Sequence, residues 1–360
     1  MSKKKARVLA FYLPQFHPTL ENNKWWGEGF TEWTNVAKAK PLFKGHDQPV
    51  IPADLGFYDL RLPETRLAQA KMAFESGIEG FCYWHYWFNG KRMLERPFDE
   101  VLKSKSPDFP FCLAWANHSW TGIWKDEPDR FLINQTYPGE EDDLAHFNCL
   151  LKAFRDKRYI LVDGKPLFII FKPNDIPNLK NKLNYWRNLA KKAKLKGIYV
   201  IGINMNDFSS GKKLGLDGII LSRLGKVNYN TKLLNEVTRL WWGVIRRLSL
   251  GGPRVISYKD AIKFLIPNKV DFDVPVFPCA FPNWDNTPRK GRKGFVLKNS
   301  NPELFGEHFT DAMNMVKEHN DEEKLIFIKS WNEWAEGNYL EPDLKWGHGY
   351  LDVIKGKVCD

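Results

Sequence analysis

Eight short, almost uninterrupted apolar runs punctuate this sequence, and they restrict its fold more than any other feature. They are RVLAFYL (7–13), GIEGFCYWHYW (77–87), FPFCLAWA (109–116), PLFIIFK (166–172), IYVIGIN (198–204), DGIILSR (217–223), VPVFPCAF (274–281) and LIFIKS (325–330). Runs this short, rich in β-branched and aromatic residues and apolar at successive positions, predict strands covered on both faces. Amphipathic helical patterns lie between most of them. LPETRLAQAKMAFESG (62–77) opens with Pro63 and acids and closes at Gly77, and LKNKLNYWRNLAKKAKLKG (179–197) also closes on glycine. NPELFGEHFTDAMNMVKEHN (301–320) starts with Pro302 and Glu303. Strand and helix alternating eight times predict an α/β fold, a (β/α)8 TIM barrel. The rival, an open doubly wound sheet, lacks a GxGxxG after its first strand. The 360 residues read as a single domain, 1–360, with long loops after strand one (14–61) and between strands six and seven (insertion 224–273).

A barrel of this kind gathers its functional side chains at the C-terminal ends of the strands. Polar residues do follow the apolar runs: Gln15 and His17 after the first, His85 and Tyr86 in the second, Asn117, His118 and Trp120 after the third. Asn283, Trp284 and Asp285 follow the seventh, and SWNEWAEGNYLEP follows the eighth. The long first loop adds Trp33 within WWGEGFTEW. Fifteen tryptophans, many in polar company, suit sugar rings, which are apolar on their faces and polar at the rim. The hydrogen-bonding and stacking candidates for a glycan are therefore Gln15, His17, Trp33, His85, Tyr86, Asn117, His118, Trp120, Asn283, Trp284 and Asn332. Tyr339 and Glu341 share the last loop.

Glu333 and Glu336 are the catalytic candidates. Three positions apart in a turn, both can face one side. Two carboxyls converging in one pocket drive their titrations apart, leaving one ionised and one protonated near neutral pH. Glycosidic bond cleavage needs that pairing of base and acid. The bland alternative is a pair of solvated glutamates, and the Trp331, Asn332 and Trp334 frame after a barrel strand argues against it.

Other chemistries find less support. His17, His85 and His118 close three successive strands as metal ligands might, but HxH and HExxH are absent, so no metal is expected. DFD (271–273) imitates a glycosyltransferase metal motif yet precedes strand seven, at the wrong end of a barrel. The net charge of +11 is carried partly by KKK (3–5), KKAKLK (191–196) and RKGRK (289–293). These read as solvated faces, or as attraction to anionic lipid or acidic polysaccharide, and not as a nucleic-acid module. Five scattered cysteines read as reduced thiols, and neither a secretion signal nor a membrane-spanning run is evident. The reading is a cytoplasmic protein. In 234–250, Leu234, Val237, Leu240, Trp241, Val244, Ile245 and Leu248 share one helical face beside Arg246 and Arg247. That segment is the candidate for peripheral contact with the inner face of the membrane.

AFYLPQFHP, WWGEGFTEWTNV, GFCYWHYWF, WANHSWTGIW and WNEWAEGNYLEP, in this order, together resemble the WbsX-type family over nearly the whole chain. That family is similar to glycoside hydrolase family 99 and is associated with glycosyltransferases of surface-polysaccharide (O-antigen or capsule) biosynthesis. The resemblance implies a cofactor-free barrel acting on oligosaccharide or polysaccharide. It also implies retaining chemistry, in which Glu333 is the base toward the sugar 2-hydroxyl and Glu336 the general acid/base, through a 1,2-anhydro sugar. The departure is Ala335, where family 99 carries histidine, so mannose is not carried over. A transferase using an activated sugar donor and a non-catalytic glycan-binding protein are the alternatives.

Overall fold

The computed structural model describes residues 4–122, 127–204, 210–229, 252–267 and 271–359. All eight apolar runs form parallel strands of one closed barrel: β1 Arg7–Tyr12, β2 Gly80–Phe88, β3 Phe111–Trp115, β4 Lys165–Ile170, β5 Tyr199–Asn204, β6 Gly218–Leu221, β7 Val276–Ala280 and β8 Leu325–Ile328. Each pairs with its sequence neighbour, and β1 closes the ring by pairing with both β2 (Leu9 opposite Gly80) and β8 (Leu9 opposite Phe327). Nearly every described strand residue is buried, because side chains facing inward fill the barrel and those facing outward meet helices.

The outer layer contains α1 Pro63–Glu75, α2 Arg96–Ser104, α3 Glu140–Phe154, α4 Leu179–Lys192, α5 Gly211–Leu214, α6 Tyr258–Leu265, α7 Pro302–Val316 and α8 Gly349–Val358. Helix α1 starts at Pro63, whose missing N–H would be unpaired there in any case. It stops where Gly77 takes φ +82°, a left-handed conformation that costs glycine nothing. It lays Gln69, Ala70 and Ala73 against the barrel. Helix α7 begins as expected, with the Asn301 side chain accepting from Leu304 N. Helix α4 departs from expectation: it ends at Lys192, not Gly197, and the left-handed residue is Lys194. Leu195 N then bonds back to Ala190 O at 2.9 Å, so the chain leaves the helix before the glycine is reached.

The loop after β1 carries two short helices, Leu20–Trp26 and Glu32–Ala37, capped by Thr19 and Thr31. The stretch between β6 and β7 supplies α6 and a strand, Arg254–Ser257, that pairs in parallel with Phe295–Lys298 beyond β7. The 234–250 segment lies outside the described residues. Among the described residues, no helix is long and apolar enough to cross a membrane. Asp273 of the DFD motif sits at the base of the barrel, where its carboxylate accepts from Ser210 Oγ and Gly211 N at the start of α5.

Candidate active site

Beyond β8 the chain forms a small hairpin in which Asn332 pairs with Tyr339 and Glu333 with Asn338, joined by a 3-10 turn at Trp334–Glu336. Trp331 and Trp334 are buried beneath it, and Trp334 stacks on Tyr339 with centroids 4.0 Å apart. Asn332 latches the hairpin to the end of β1, its Oδ1 accepting from Leu13 N at 2.7 Å and its Nδ2 donating to Leu13 O at 3.0 Å. Gly337, at φ +50°, ends the turn. A Cβ there would stand 2.7 Å from Asp285 N, which itself donates to Glu336 O at 2.7 Å. Glycine is required on both counts.

This hairpin presents Glu333 and Glu336 to a cleft of about 360 Å³, within the size range of small-molecule sites. Glu333 Oε1 accepts from Trp84 Nε1 at 3.0 Å and from Lys329 Nζ at 3.1 Å. Glu336 Oε1 lies 2.7 Å from Arg289 Nη1, which is also 3.8 Å from Glu333 Oε2. Lys329 Nζ is 3.7 Å from the second oxygen of Glu336. On its far side Arg289 donates from Nε and Nη2 to Glu32 Oε2, at 3.0 and 2.9 Å. Two cations thus serve three carboxylates.

The charges separate the pair. Burial alone would raise Glu333, but the field of Lys329, a hydrogen bond with Glu336 and the field of Arg289 outweigh it and hold Glu333 well below the usual carboxylate range. Burial and then the negative charge of Glu333 push Glu336 up to about 7, against the pull of Arg289 and Lys329. Below about pH 7 the pair therefore carries one proton, and Glu336 holds it. Burial also raises Glu32, opposed by Arg289.

The rest of the cleft is mostly apolar. Trp26, Trp84, Tyr86, Trp120, Phe171 and Leu132 line it, with Gln15 and His118 among the polar groups. Burial and the nearby Lys172 and Lys329 lower His118 to about 4, so it is a neutral imidazole able to hydrogen-bond a hydroxyl. A two-stranded ribbon, Trp120–Gly122 with Glu127–Ile133, supplies one wall.

Of the residues expected from sequence, Gln15, Tyr86, His118, Trp120, Glu333 and Glu336 meet in this cleft. The others lie elsewhere. His85 faces away from the cleft and meets His146 of α3, Nε2 to Nε2 at 2.9 Å. His17 borders a separate hollow with Arg92 and Arg96. Asn117 ties β3 to β4, bonding Lys172 N and O at 2.8 Å each. Trp33 donates to Tyr58 O and packs on Trp334. Asn283 accepts from Tyr339 N at 3.0 Å, and Trp284 and Tyr339 line a small hollow behind the hairpin. Asn332 and Glu341 lie beneath the floor, where Glu341 accepts from Tyr58, Trp334 and Gln69.

Sequence reasoning missed Trp84, Arg289, Lys329 and Glu32. Trp84 was recoverable, because residues two apart on a strand share a face, so Tyr86 in the cleft implies Trp84 and excludes His85. Arg289 belongs to RKGRK, read as solvated, yet its side chain is only 11% exposed. Nothing local to that run signals its burial, since the partners come from the first and last loops.

The chain matches the family described as Glycosyltransferase WbsX over residues 8–354. It is 33% identical over 356 residues to the protein WxcX of Xanthomonas campestris pv. campestris, covering 97% of this chain and 49% of that protein. A second strain's WxcX matches equally. The chain spans about half the length of these curated relatives. Among solved structures, a glycoside hydrolase-like protein superposes with a TM-score of 0.59 at 16% identity, covering 99% of this chain and 94% of that one. The family 99 endo-α-mannosidase from Bacteroides thetaiotaomicron gives 0.58 at 15% identity, covering 98% and 96%. At such identities the likeness concerns the fold, the (β/α)8 barrel.

Proposed function

The chain belongs to the WbsX glycosyltransferase family, and from that premise we propose that it is a carbohydrate-active enzyme cleaving or exchanging glycosidic bonds of surface polysaccharides or their precursors, with Glu333 and Glu336 as its catalytic pair. One observation carries this reading: two glutamates, one held ionised and one raised to titrate near neutral pH, open together onto an aromatic-walled cleft. Sugar rings stack on Trp26, Trp84 and Trp120, and Gln15 and His118 take up hydroxyls.

The chemistry follows from the two protonation states. Glu336 gives its proton to the glycosidic oxygen as the C1–O bond breaks. Glu333 takes the proton from the 2-hydroxyl, whose oxygen closes onto C1 to give a 1,2-anhydro sugar. Water or an acceptor hydroxyl then opens that ring at C1, losing its proton to Glu336, while Glu333 returns the other proton to O2. The two inversions retain configuration. With an acceptor sugar the second half is transglycosylation, which agrees with the family's description and needs no activated donor. Within the cleft, Arg289 and Lys329 are both engaged by carboxylates, which favours a neutral glycan over the pyrophosphate of a nucleotide sugar.

The test is mass-spectrometric analysis of native surface-glycan oligosaccharides incubated with the wild-type protein and with Glu336→Gln, without nucleotide sugar. Fragments or rearranged oligosaccharides from the wild type alone are expected. Unchanged glycans with both proteins, together with products once an activated donor is added, would replace this reading by a donor-dependent transferase.

A further inference from the structure

Glu32 has no ordinary reason to be where it is. It is fully buried on the short helix Glu32–Ala37 of the loop after β1, it does not line the cleft, and it faces a second carboxylate, Glu333. A buried carboxylate is costly unless a cation answers it. Here the answering cation is the one that also serves the catalytic pair.

We propose that Glu32 is a positioning residue for the Glu333–Glu336 pair: by engaging Nε and Nη2 of Arg289 it leaves Nη1 as the nitrogen that reaches Glu336, and so sets how much of that positive charge Glu336 receives. The geometry is direct. Arg289 meets Glu32 through two nitrogens at 3.0 and 2.9 Å, and Glu336 through Nη1 alone at 2.7 Å. A guanidinium freed of Glu32 could turn a two-pronged face toward Glu336, the geometry in which arginine binds carboxylates most strongly. Glu336 would then be held as the anion, with no proton to give to a leaving oxygen.

The same loop grips the catalytic turn a second time. His46 Nε2 and Gln48 Nε2 both lie 2.7 Å from Asp285 Oδ2, and Asp285 N donates to Glu336 O at 2.7 Å. Glu32 thus acts on the Glu336 carboxyl and His46 with Gln48 on its backbone, from one loop. The charged groups facing the pair are Glu32 from that loop, Arg289 from the segment after β7 and Lys329 beside the pair itself. Tyr86 from β2 and His118 from the β3 loop border the cleft as neutral groups, since burial raises the first and lowers the second.

This inference rests on the catalytic reading of Glu336, but its test does not require turnover. Carbon-13 NMR of protein labelled at glutamate carboxyls follows the Glu336 titration, identified by its loss in Glu336→Gln. Glu32→Gln keeps the shape and one acceptor while removing the charge, and is expected to lower the Glu336 midpoint by about one pH unit. Glu32→Asp keeps the charge and withdraws it by one methylene. It is expected to shift the midpoint the same way by roughly half as much, and stands in if Glu32→Gln does not fold. In the turnover assay the alkaline limb of kcat/KM should move down by the same interval while KM holds. An unmoved Glu336 midpoint in folded Glu32→Gln, or in Glu32→Asp if that alone folds, overturns the proposal. A moved midpoint in a protein that turns over no glycan would keep it and remove the catalytic reading instead.

Discussion

Glu336 and Glu341 stand five residues apart, and both carboxyls are pushed up to about 7. Their surroundings are opposite. Glu336 keeps 19% of its side chain exposed to the cleft and is ringed by charge, with one carboxylate raising it and two cations restraining it. Glu341 is 2% exposed, and its hydrogen-bond donors are neutral: Tyr58 Oη at 2.8 Å, Trp334 Nε1 at 2.6 Å and Gln69 Nε2 at 2.6 Å. Burial raises it and those donors only moderate the rise. A displaced titration therefore does not mark a catalytic acid by itself. What sets the two apart is an opening to the cleft and an ionised partner, and of this pair only Glu336 has both.

The comparison breaks most visibly under substitution. Glu336→Gln is expected to lower kcat/KM by about a thousandfold or more while thermal melting stays near the wild-type value. Glu341→Ala should do the reverse, because three buried donors lose their acceptor: chemical denaturation should show a loss of about 3 kcal/mol, with the folded fraction turning over glycan within a few-fold of wild type. A Glu341 variant that stays fully stable but loses turnover would reverse the two assignments.

Stability against pH sharpens the contrast. Folded Glu341 keeps its proton up to about 7, whereas the ordinary value is 4.5. Folding therefore takes up protons between those values, and the stability contribution falls as pH rises through about 7. Glu341→Gln should flatten the decline in folding free energy across that window. An unchanged slope would mean that Glu341 is already ionised in the folded protein. The smallest effect belongs to Trp84→Phe, which keeps the stacking surface but withdraws one N–H from Glu333. It should cost about tenfold in kcat/KM, and an unaltered rate would show that Lys329 alone is enough to hold Glu333 in place.

The barrel was readable because strands buried on both faces announce themselves as unbroken apolar runs, and all eight did. Boundaries were less so. The predicted glycine stop of α4 failed because Lys194 takes the left-handed turn three residues earlier than Gly197. That both glutamates of the ExxE pair open onto one cleft was readable from their tryptophan frame and place after β8. Their contacts with Arg289, and its contacts with Glu32, were not, because Glu32 and Arg289 are distant in sequence and each looks ordinary in its own segment. His85 was chosen over Trp84 by residue type, where the two-residue repeat of a strand would have chosen otherwise. Glu341 shows the same limit in reverse, since polar residues in a site-bearing loop can just as well hold up its floor.

On the function proposed above, the division of labour among the loops bears on how such an enzyme could change over generations. Glu32 comes from the loop after β1, Arg289 from the segment after β7, and Lys329, Glu333 and Glu336 from the end of β8. The ribbon of Trp120–Gly122 and Glu127–Ile133, which supplies another wall of the cleft, rises instead from the loop after β3. A mutation in the ribbon alters what the cleft admits without rewiring the proton transfers. One in the charged group risks all of them at once. If the proposed reaction is the one this cleft performs, diversification to new glycans therefore has an inexpensive path through the ribbon, while the reaction itself can be inherited intact.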